Sequence, residues 1–237
     1  MTKRGIEHLH IYGIDNVLTR SLDPAFLGVC ISNNAECGNK VVWRASKAEK
    51  VGVTVSIQGK MNILEYSEIP VHLAEATDTE GKLVYGAANI CNHYMTVNFL
   101  VNEVLRTLSG SYHLAQKKIP FMDPITRNTI APTENNGVKL EMFIFDVFHL
   151  AKKWTVLEAN RRDEFAPVKN EPGNPVDSPD SARAMMTSQA KSWLLAAGAV
   201  LNNNSKEQCE ISPLLSYGGE GLEDFYGVKI DLPCYLK

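Results

Sequence analysis

The sequence lacks the cysteine patterns that mark metal-binding or disulfide-stabilised domains. Its five cysteines are an odd number, and no two of them are spaced as C-x-x-C. Zinc sites and disulfide frameworks usually show cysteines at paired, short spacings, so neither is expected here. The unpaired cysteines predict a reducing compartment, and we expect the protein to be cytoplasmic.

Long apolar segments and a surplus of positive charge are missing as well. No apolar run reaches the roughly 18 residues of a membrane span, and the start, MTKRGIEHLHIYGI, has no apolar signal-peptide core. Lys and Arg total 24 against 27 Asp and Glu, which gives a net charge of −3. No basic run or RNA-binding signature is present. The sequence therefore predicts neither a membrane nor a nucleic-acid partner.

Common catalytic motifs are absent too. The glycines in GGEGLEDF fit neither G-x-G-x-x-G nor G-x-x-x-x-G-K-[ST], and no strand-to-helix context follows them. Sequence order and spacing indicate no Ser-His-Asp or Cys-His arrangement. What remains is an ordinary globular composition, 44% hydrophobic and 22% charged. The length suits one large domain, or one domain with a small appendage.

Strand-like segments indicate an α/β fold. Residues 8–14 read as a buried strand, and residues 40–66 read as a meander of three short strands with a turn at Gly59. Residues 83–95 read as a strand whose small central side chains would let a ligand or another backbone approach closely. Residues 154–159 read as a further strand.

Capping residues predict where the helices begin. Asp23, Thr96 and Ser178 are each followed by a helical pattern, with a proline at the first helical position after Asp23 and Ser178. The helix that follows Ser178 is expected to end at Gly198. After it, residues 202–208 read as a turn and residues 209–217 as a strand.

Residues 137–151 show the strongest helical periodicity in the chain. Apolar side chains recur at intervals of three and four, at Leu140, Phe143, Ile144, Val147, Phe148 and Ala151. Lys139 would then lie at the start of the helix, where a phosphate would be favoured beside the free N–H groups. The alternative is that Lys139 points into solvent. Lys169, in the following loop, is open to the same two interpretations.

Other polar residues lie where a ligand could bind, each with a simpler alternative. Asp15 follows the first strand, where α/β sheets place ligand groups, although an Asx-turn would explain it equally well. Glu65 and Tyr66 could hold sugar hydroxyls or form a solvated strand end. Asn89 would offer a ligand both a donor and an acceptor.

Eight segments stand in a fixed order along nearly the whole chain: GIEHLHIYGIDNVL, DPAFLG, EYSEI, NICNHY, AQKKIP, GVKLEMFIFDVF, DEFAPVKN and CEISPLLSYGGEGLE. Together they resemble the eukaryotic UDP-N-acetylhexosamine (UDP-N-acetylglucosamine) pyrophosphorylases, specifically their C-terminal half. The resemblance implies an α/β fold, a truncated nucleotide-sugar transferase (Rossmann-like) domain. Its mixed, mostly parallel sheet with flanking helices would occupy residues 1–198. Residues 199–237 would begin a small, incomplete β-rich domain.

The resemblance also implies a reaction, in which UTP and N-acetylglucosamine 1-phosphate give UDP-N-acetylglucosamine and diphosphate. Mg²⁺ and lysines would neutralise the charge that develops on the phosphates. Family members carry a nucleotide loop of the form L-x-x-G-x-G-T-x-[LM]-G, which this sequence lacks. We therefore expect the chain alone to be inactive. A non-catalytic module that binds a sugar phosphate or UDP-sugar, or that acts in protein interaction, is the alternative.

Family motifs assign roles to individual residues by resemblance. Asp15 in YGIDN corresponds to an aspartate near the nucleotide phosphates and their metal. Lys139 in GVKLE corresponds to a catalytic lysine at the UTP phosphates, and Lys169 in PVKN to one at the sugar phosphate.

The implied sugar-binding residues form a second group. Glu65 and Tyr66 belong to the EYSE motif, and Asn89 corresponds to an asparagine that contacts the amino sugar. Phe143 and Phe145 in MFIF correspond to aromatic residues that line the sugar pocket.

The resemblance makes the first strand, HLHIYGI, a central strand whose earlier neighbours are not in this sequence. An unpaired apolar strand edge favours aggregation or pairing with another chain. We therefore expect the chain alone to fold poorly or to be marginally stable.

Overall fold

The computed structural model describes residues 1–107, 112–202 and 207–237. The strands are β1 (His8–Tyr12), β2 (Cys37–Trp43), β3 (Val53–Ile57), β4 (Lys60–Leu64), β5 (Ala87–Thr96), β6 (His113–Lys117), β7 (Phe121–Met122), β8 (Thr129–Ile130), β9 (Gly137–Glu141), β10 (Trp154–Glu158), β11 (Val200–Asn202), β12 (Cys209–Ile211), β13 (Lys229–Asp231) and β14 (Cys234–Leu236). The α-helices are α1 (Pro24–Ser32), α2 (Val71–Ala74), α3 (Val97–Phe99), α4 (Leu105–Thr107), α5 (Arg161–Glu164) and α6 (Pro179–Ala196). A π-helical turn (Leu100–Val104) joins α3 to α4, and 3₁₀ helices cover Thr2–Arg4, Ile144–Leu150 and Glu223–Phe225.

A six-stranded mixed sheet forms the centre of the fold, with the order β10-β2-β5-β3-β4 and with β1 alongside β5. β5 pairs with β2 on one side, while β1 and β3 share its other side. The mixed sheet that the sequence predicts is confirmed. Within the described part of this sheet, however, only β2 and β10 are parallel, so the expectation of a mostly parallel sheet is wrong.

The three strands predicted as a meander are present, but they are not sequential neighbours in the sheet. β3 and β4 form a hairpin that turns at Gly59, as expected. β5 lies between β2 and β3, because β2 pairs along its whole length with β5 instead. Local turn signals identify the hairpin, but they carry no information about a partner strand that follows much later in the chain.

Both faces of the sheet are covered by apolar side chains. On one face Met61 and Met95 pack with Phe148 of the 3₁₀ helix. On the opposite face Phe26 and Cys30 of α1 pack against Tyr94. Burying a large apolar side chain contributes about 1.5–3 kcal/mol, and this double coverage explains why β2 is buried at six of its seven positions.

Residues 137–151 do not form the amphipathic helix that their periodicity predicts. Gly137–Glu141 form β9, which pairs antiparallel with β6, and a 3₁₀ helix begins only at Ile144. Buried side chains then recur every third residue, at Phe145, Phe148 and Ala151, which is the period of a 3₁₀ helix. Leu140, counted in the predicted apolar face, is 58% exposed. The buried positions therefore follow the three-residue period of a 3₁₀ helix and not the 3.6-residue period of the predicted α-helix.

The predicted helix caps are confirmed. The side chains of Asp23, Thr96 and Ser178 accept hydrogen bonds from backbone N–H groups in the first turns of their helices. α6 ends at Ala196, and Gly198 follows it with a positive φ of 87°. These signals succeed because a cap and its helix lie within a few residues of each other.

The C-terminal strands form two short parallel pairs, β11 with β13 and β12 with β14. Leu194 of α6 packs in one cluster with Leu222 and Ile230. The strand predicted over residues 209–217 covers only Cys209–Ile211. Most of the predicted turn at residues 202–208 lies outside the described residues. The boundary at residue 198 stays a prediction.

The edge of β1 matches the expectation for an open strand. Within the described ranges, β5 is its one strand neighbour, which leaves the opposite edge unpaired. Marginal stability of the chain alone stays a prediction.

None of the helices in the described residues is both long and apolar enough to cross a membrane.

Candidate functional site

Two loops run side by side at one end of the sheet and bring two predicted phosphate-binding residues together. The N–H of Val168 donates to the carbonyl of Asp15 at 2.9 Å, and the N–H of Val17 donates to that of Ala166 at 3.3 Å. An antiparallel bridge joins Asn16 and Pro167 between them. The loop that carries Asp15 is therefore fastened to the loop that leads into Lys169.

The side chain of Asn16 completes this pairing, and the sequence reasoning missed it. Asn16 is buried, and its Nδ2 donates to the carbonyl of Glu164 at 2.8 Å. Its Oδ1 accepts from the N–H groups of Ala166 and Leu18, at 2.8 and 3.3 Å. The bond to Leu18 forms an Asx-turn, but it is made by Asn16 and not by Asp15, for which the sequence offered that alternative. The Asp-Asn pair after a strand was the signal that could have identified Asn16.

A bulge in β5 places Asn89 and Cys91 beside these loops. The register with β2 shifts between Lys40 and Val41, which leaves residues 90 and 91 outside the ladder. Cys91 has a positive φ of 52° and accepts a hydrogen bond from the N–H of Gly13 at 3.0 Å. Bulges that redirect side chains are common next to functional sites. β5 therefore approaches the loop after β1 at Cys91, whereas the small residue Gly86 lies against the ring of Trp43 of β2.

Hydrogen bonds with Cys91 and Gly52 fix the orientation of Asn89. Its Oδ1 accepts from the N–H of Cys91 at 3.1 Å, and its backbone N–H donates to the carbonyl of Gly52 at 2.8 Å. Its Nδ2 has no hydrogen-bond partner in the part of the chain that the structure describes. Because Oδ1 is already satisfied, Nδ2 is the group that Asn89 can offer to a ligand.

Charges from three predicted site residues act on the Cys91 thiol. Cys91 is exposed, yet the atoms packed around its sulfur desolvate the thiolate and raise the pKa of the thiol. The negative charges of Asp15 and Glu65 raise that pKa further, and Lys169 lowers it. Asp15, Glu65 and Lys169 therefore lie close enough to Cys91 for their charges to act on its thiol.

Glu65 lies in an acidic environment. Burial raises the pKa of its carboxyl, the neighbouring Glu68 raises it further, and His113 partly opposes the shift. A partly buried carboxyl with a raised pKa is typical of functional sites. Tyr66, the other predicted member of the EYSE motif, is 51% exposed.

The two predicted aromatic residues stack on each other. The rings of Phe143 and Phe145 are 4.9 Å apart and nearly parallel. Phe143 borders a cavity of about 400 Å³ together with Ile11 and Asp146. Phe145 is buried, with 5% of its surface exposed, and lies edge-on to His93. The ring of Phe143 is therefore accessible from the cavity, whereas Phe145 is buried and stacks against the ring of Phe143.

His113 joins the ribbon formed by β6 and β9 to the rest of this region. Its Nδ1 lies 2.7 Å from Glu68 Oε1, and its Nε2 lies 2.9 Å from Asp146 Oδ1. Its ring also packs against Phe143. Partial burial alone would lower the pKa of His113, but the hydrogen bonds to Glu68 and Asp146 outweigh it and the pKa is raised.

We expect His113→Phe to destabilise the protein in a pH-dependent way. A raised native pKa contributes stability in full below the unfolded value of about 6.5, and this is lost as pH rises through the native pKa. The substitution keeps the aromatic contact but removes the charge, at a cost on the order of 1 kcal/mol at low pH. Urea denaturation across a pH series measures the difference, with the exposed His72→Phe as control. A difference that does not change with pH would contradict the assignment.

Lys139 is not where the predicted helix would place it. It lies in the middle of β9, opposite Ala115 of β6, so it is not at a helix N-terminus and the dipole argument does not apply. Its side chain is 65% exposed and forms an ion pair with Glu141 at 3.1 Å. Among the described residues, no hydrogen bond or ion pair connects Lys139 to Asp15 or Lys169. The solvent-facing alternative is thus the observed state, and its catalytic role stays a prediction.

The side chains at this site could bind a metal ion only together with a phosphorylated ligand. Among residues 1–107, 112–202 and 207–237, no group of three or more His, Cys, Asp or Glu side chains could hold an ion. Mg²⁺ is commonly bound by one or two carboxylates together with phosphates and water. Asp15 can supply one such carboxylate, provided that a phosphorylated ligand completes the coordination.

Asp15 and Lys169, which are predicted to bind phosphates, and Glu65 and Asn89, which are predicted to bind the sugar, thus lie near one another beside a mixed α/β sheet. Residues 1–226 match the family described as UTP–glucose-1-phosphate uridylyltransferase. The chain belongs to this family.

Individual relatives narrow the similarity further. The chain is 41% identical over 255 residues to the human UDP-N-acetylhexosamine pyrophosphorylase-like protein 1, covering 100% of the chain and 50% of the relative. It is 41% identical over 232 residues to the UDP-N-acetylglucosamine pyrophosphorylase of Saccharomyces cerevisiae, covering 97% of the chain and 48% of that enzyme. The chain therefore spans about half the length of these relatives.

A solved structure shows the same fold. The uridine diphosphate N-acetylglucosamine pyrophosphorylase from Trypanosoma brucei, in complex with an inhibitor, superposes with a TM-score of 0.78. It is 32% identical, and the match covers 94% of this chain and 46% of that one. The expected resemblance to half of a UDP-N-acetylglucosamine pyrophosphorylase is confirmed.

Proposed function

We propose that this chain provides the sugar-phosphate part of a UDP-N-acetylglucosamine pyrophosphorylase. The reaction joins UTP and N-acetylglucosamine 1-phosphate into UDP-N-acetylglucosamine and releases diphosphate. The observation that carries the proposal is the pairing of the two loops of Asp15 and Lys169 beside the bulge that holds Asn89, with the Glu65 side chain next to Gly52, whose carbonyl accepts from Asn89. The five free cysteines support the proposed cytoplasmic location.

The groups at this point match the chemistry of an N-acetylated sugar phosphate. Asn89 Nδ2 would donate to a sugar or acetamido oxygen, and the Glu65 carboxylate would accept from a sugar hydroxyl. Phe143 borders a cavity whose lining includes none of Asp15, Glu65, Asn89 and Lys169, so its contact with the sugar is proposed from the family resemblance, as is that of the exposed Tyr66. Lys169 would pair with the phosphate by a charge-assisted hydrogen bond.

The proposed chemistry is an in-line displacement at phosphorus. An oxygen of the sugar phosphate forms a bond to the α-phosphorus of UTP while the bond to the leaving diphosphate breaks. Lys169 would hold the attacking phosphate in place, and we propose that Lys139 approaches the UTP phosphates from the β6–β9 ribbon. Such reactions depend mainly on positioning and on charge neutralisation.

Mg²⁺ is the metal that we propose for this site, with Asp15 as its protein ligand. When bound, it would neutralise negative charge on the nucleotide phosphates. Asp15 is held ready for this by the hydrogen bond between its carbonyl and the N–H of Val168. The side chain of Asp15 also lies close to Gly13, where an added Cβ would meet its Oδ1 at 2.5 Å.

Binding of UDP-N-acetylglucosamine to the 237-residue chain tests the proposal. Titration calorimetry is expected to show that Asn89→Asp weakens binding by about tenfold, because it removes the free donor but keeps the oxygen that accepts from Cys91. UDP-glucose, which has no acetamido group, is expected to bind more weakly than UDP-N-acetylglucosamine.

Asn98→Ala, at an exposed position on α3, is the matched control and is expected to bind as the wild type does. Equal affinity of the wild type and Asn89→Asp would contradict the assignment of Asn89. No binding by the wild type would refute the proposed function of this chain.

A further inference from the structure

Lys40 is completely buried at the centre of the fold. It lies in β2 next to the bulge, with 0% of its side chain exposed. Lysine is almost never fully buried unless its charge is paired. Its Nζ donates to Asp23 Oδ2, and it donates to Glu164 Oε2 at 2.7 Å. These three residues form what we call the buried triad.

The two carboxylates of the buried triad come from segments next to the two site loops. Asp23 is the N-cap of α1, and it ends the loop that begins at Asp15. Burial would raise the pKa of Asp23, but Lys40 outweighs this effect and the pKa is lowered, so Asp23 is ionised near neutral pH. Glu164 is the last residue of α5, and the loop that leads to Lys169 starts just after it.

The same two loops are joined a second time, nearer the site. The backbone carbonyl of Glu164 accepts from Asn16, and Asn16 in turn accepts from the N–H of Ala166. One continuous set of polar contacts therefore runs from Lys40 through Glu164 and Asn16 to the paired loops. Lys40 is the point on the rigid sheet to which both loops are attached.

We propose that Lys40 is a positioning residue that sets the spacing between Asp15 and Lys169. The inference rests on the proposed function, since that spacing matters only if both residues address the phosphates of one ligand. Lys40 is buried away from solvent and acts through the two loops. A purely structural role would also demand a paired lysine, so the test must separate loop position from overall stability.

A variant without any of the three charges makes that separation. Lys40→Met, Asp23→Asn and Glu164→Gln are combined, so that no unpaired charge is left buried. Asn at position 23 still caps α1. We expect this triple variant to melt at a temperature close to that of the wild type.

Hydrogen exchange of backbone amides measures how well the two loops stay paired, and it needs no ligand. The N–H groups of Ala166 and Val168 donate across the paired loops. Their protection is expected to fall by about tenfold or more in the triple variant, while amides of the β2–β5 ladder keep theirs. The dissociation constant for UDP-N-acetylglucosamine is expected to rise by about tenfold or more.

Each result has a definite meaning. A folded triple variant with unchanged loop protection would overturn the proposal, whatever the ligand does. If the wild type does not bind UDP-N-acetylglucosamine, the proposed function is refuted. The hydrogen-exchange data then decide by themselves whether Lys40 holds the two loops in place.

A second variant covers the case in which the triple variant does not fold. Glu164→Ala removes only the contact between Lys40 and the loop that leads to Lys169. It is expected to lower protection at Ala166 and Val168 and to leave the first turn of α1 unchanged, whereas the exposed Glu158→Ala changes neither. Equal protection in Glu164→Ala and Glu158→Ala would refute the positioning role.

Discussion

Lys40→Met alone is expected to lower the free energy of unfolding by about 3–5 kcal/mol, because it leaves buried carboxylates without their cation. Asp23 and Glu164 have 5% and 12% of their side chains exposed, so water cannot replace the lost partner. Domains of this kind are stable by only about 5–15 kcal/mol, so this loss is large. Urea denaturation followed by circular dichroism measures it.

The pH dependence gives an independent check on Lys40→Met. The lowered native pKa of Asp23 means that the Asp23–Lys40 pair contributes stability above the unfolded value of about 3.9, and that this is lost as pH falls through the native pKa. The difference between wild type and variant should therefore shrink in acid. Lys50→Met, at an exposed lysine, is the control and should change stability by less than about 0.5 kcal/mol. A Lys40→Met variant as stable as this control would contradict the buried triad.

Lys169→Gln is expected to raise the dissociation constant for UDP-N-acetylglucosamine by about 10- to 100-fold, since hydrogen bonds between charged groups contribute about 1.5–3 kcal/mol. The unfolding temperature should stay the same. Lys169 is exposed, and its ammonium lies 5.9 Å from the centre of the Phe165 ring. Among the described residues it has no buried ion-pair partner that the substitution would leave uncompensated. Titration calorimetry provides the measurement.

Two comparisons make the Lys169 result specific. Lys153→Gln, at another exposed lysine, should bind as the wild type does, and Lys169→Arg should retain part of the affinity because it keeps the positive charge. If Lys169→Gln binds UDP-N-acetylglucosamine as tightly as Lys153→Gln, Lys169 does not contact a phosphate.

Local signals explain what the sequence predicted well. The caps at Asp23, Thr96 and Ser178 were found because each acts on a backbone N–H two or three residues away. The β3–β4 hairpin was found for the same reason, through its turn at Gly59. The convergence of Asp15 and Lys169 could not be derived locally, and only the family resemblance assigned both residues to phosphates.

Non-local pairing explains what the sequence did not predict. β9 takes its hydrogen bonds from β6, so the apolar spacing around Leu140 had no bearing on a helix. The role of Lys40 depends on Glu164, 124 residues later in the chain. The one available signal was a charged residue inside the apolar run CGNKVVW, which is unusual for a strand buried on both faces.

The strand order has a consequence for the route by which the chain folds. The hydrogen bond between His8 and Tyr94 joins residues 86 apart, and the ion pair of Lys40 with Glu164 spans still more of the chain. Contacts between distant residues require long loops to close first, and proteins rich in them fold slowly. During synthesis Lys40 has Asp23 available but must wait for Glu164. Docking of β10 and α5 therefore follows the pairing of β2 with β5 during synthesis, and until then the edge of β2 that pairs with β10 is open to other chains.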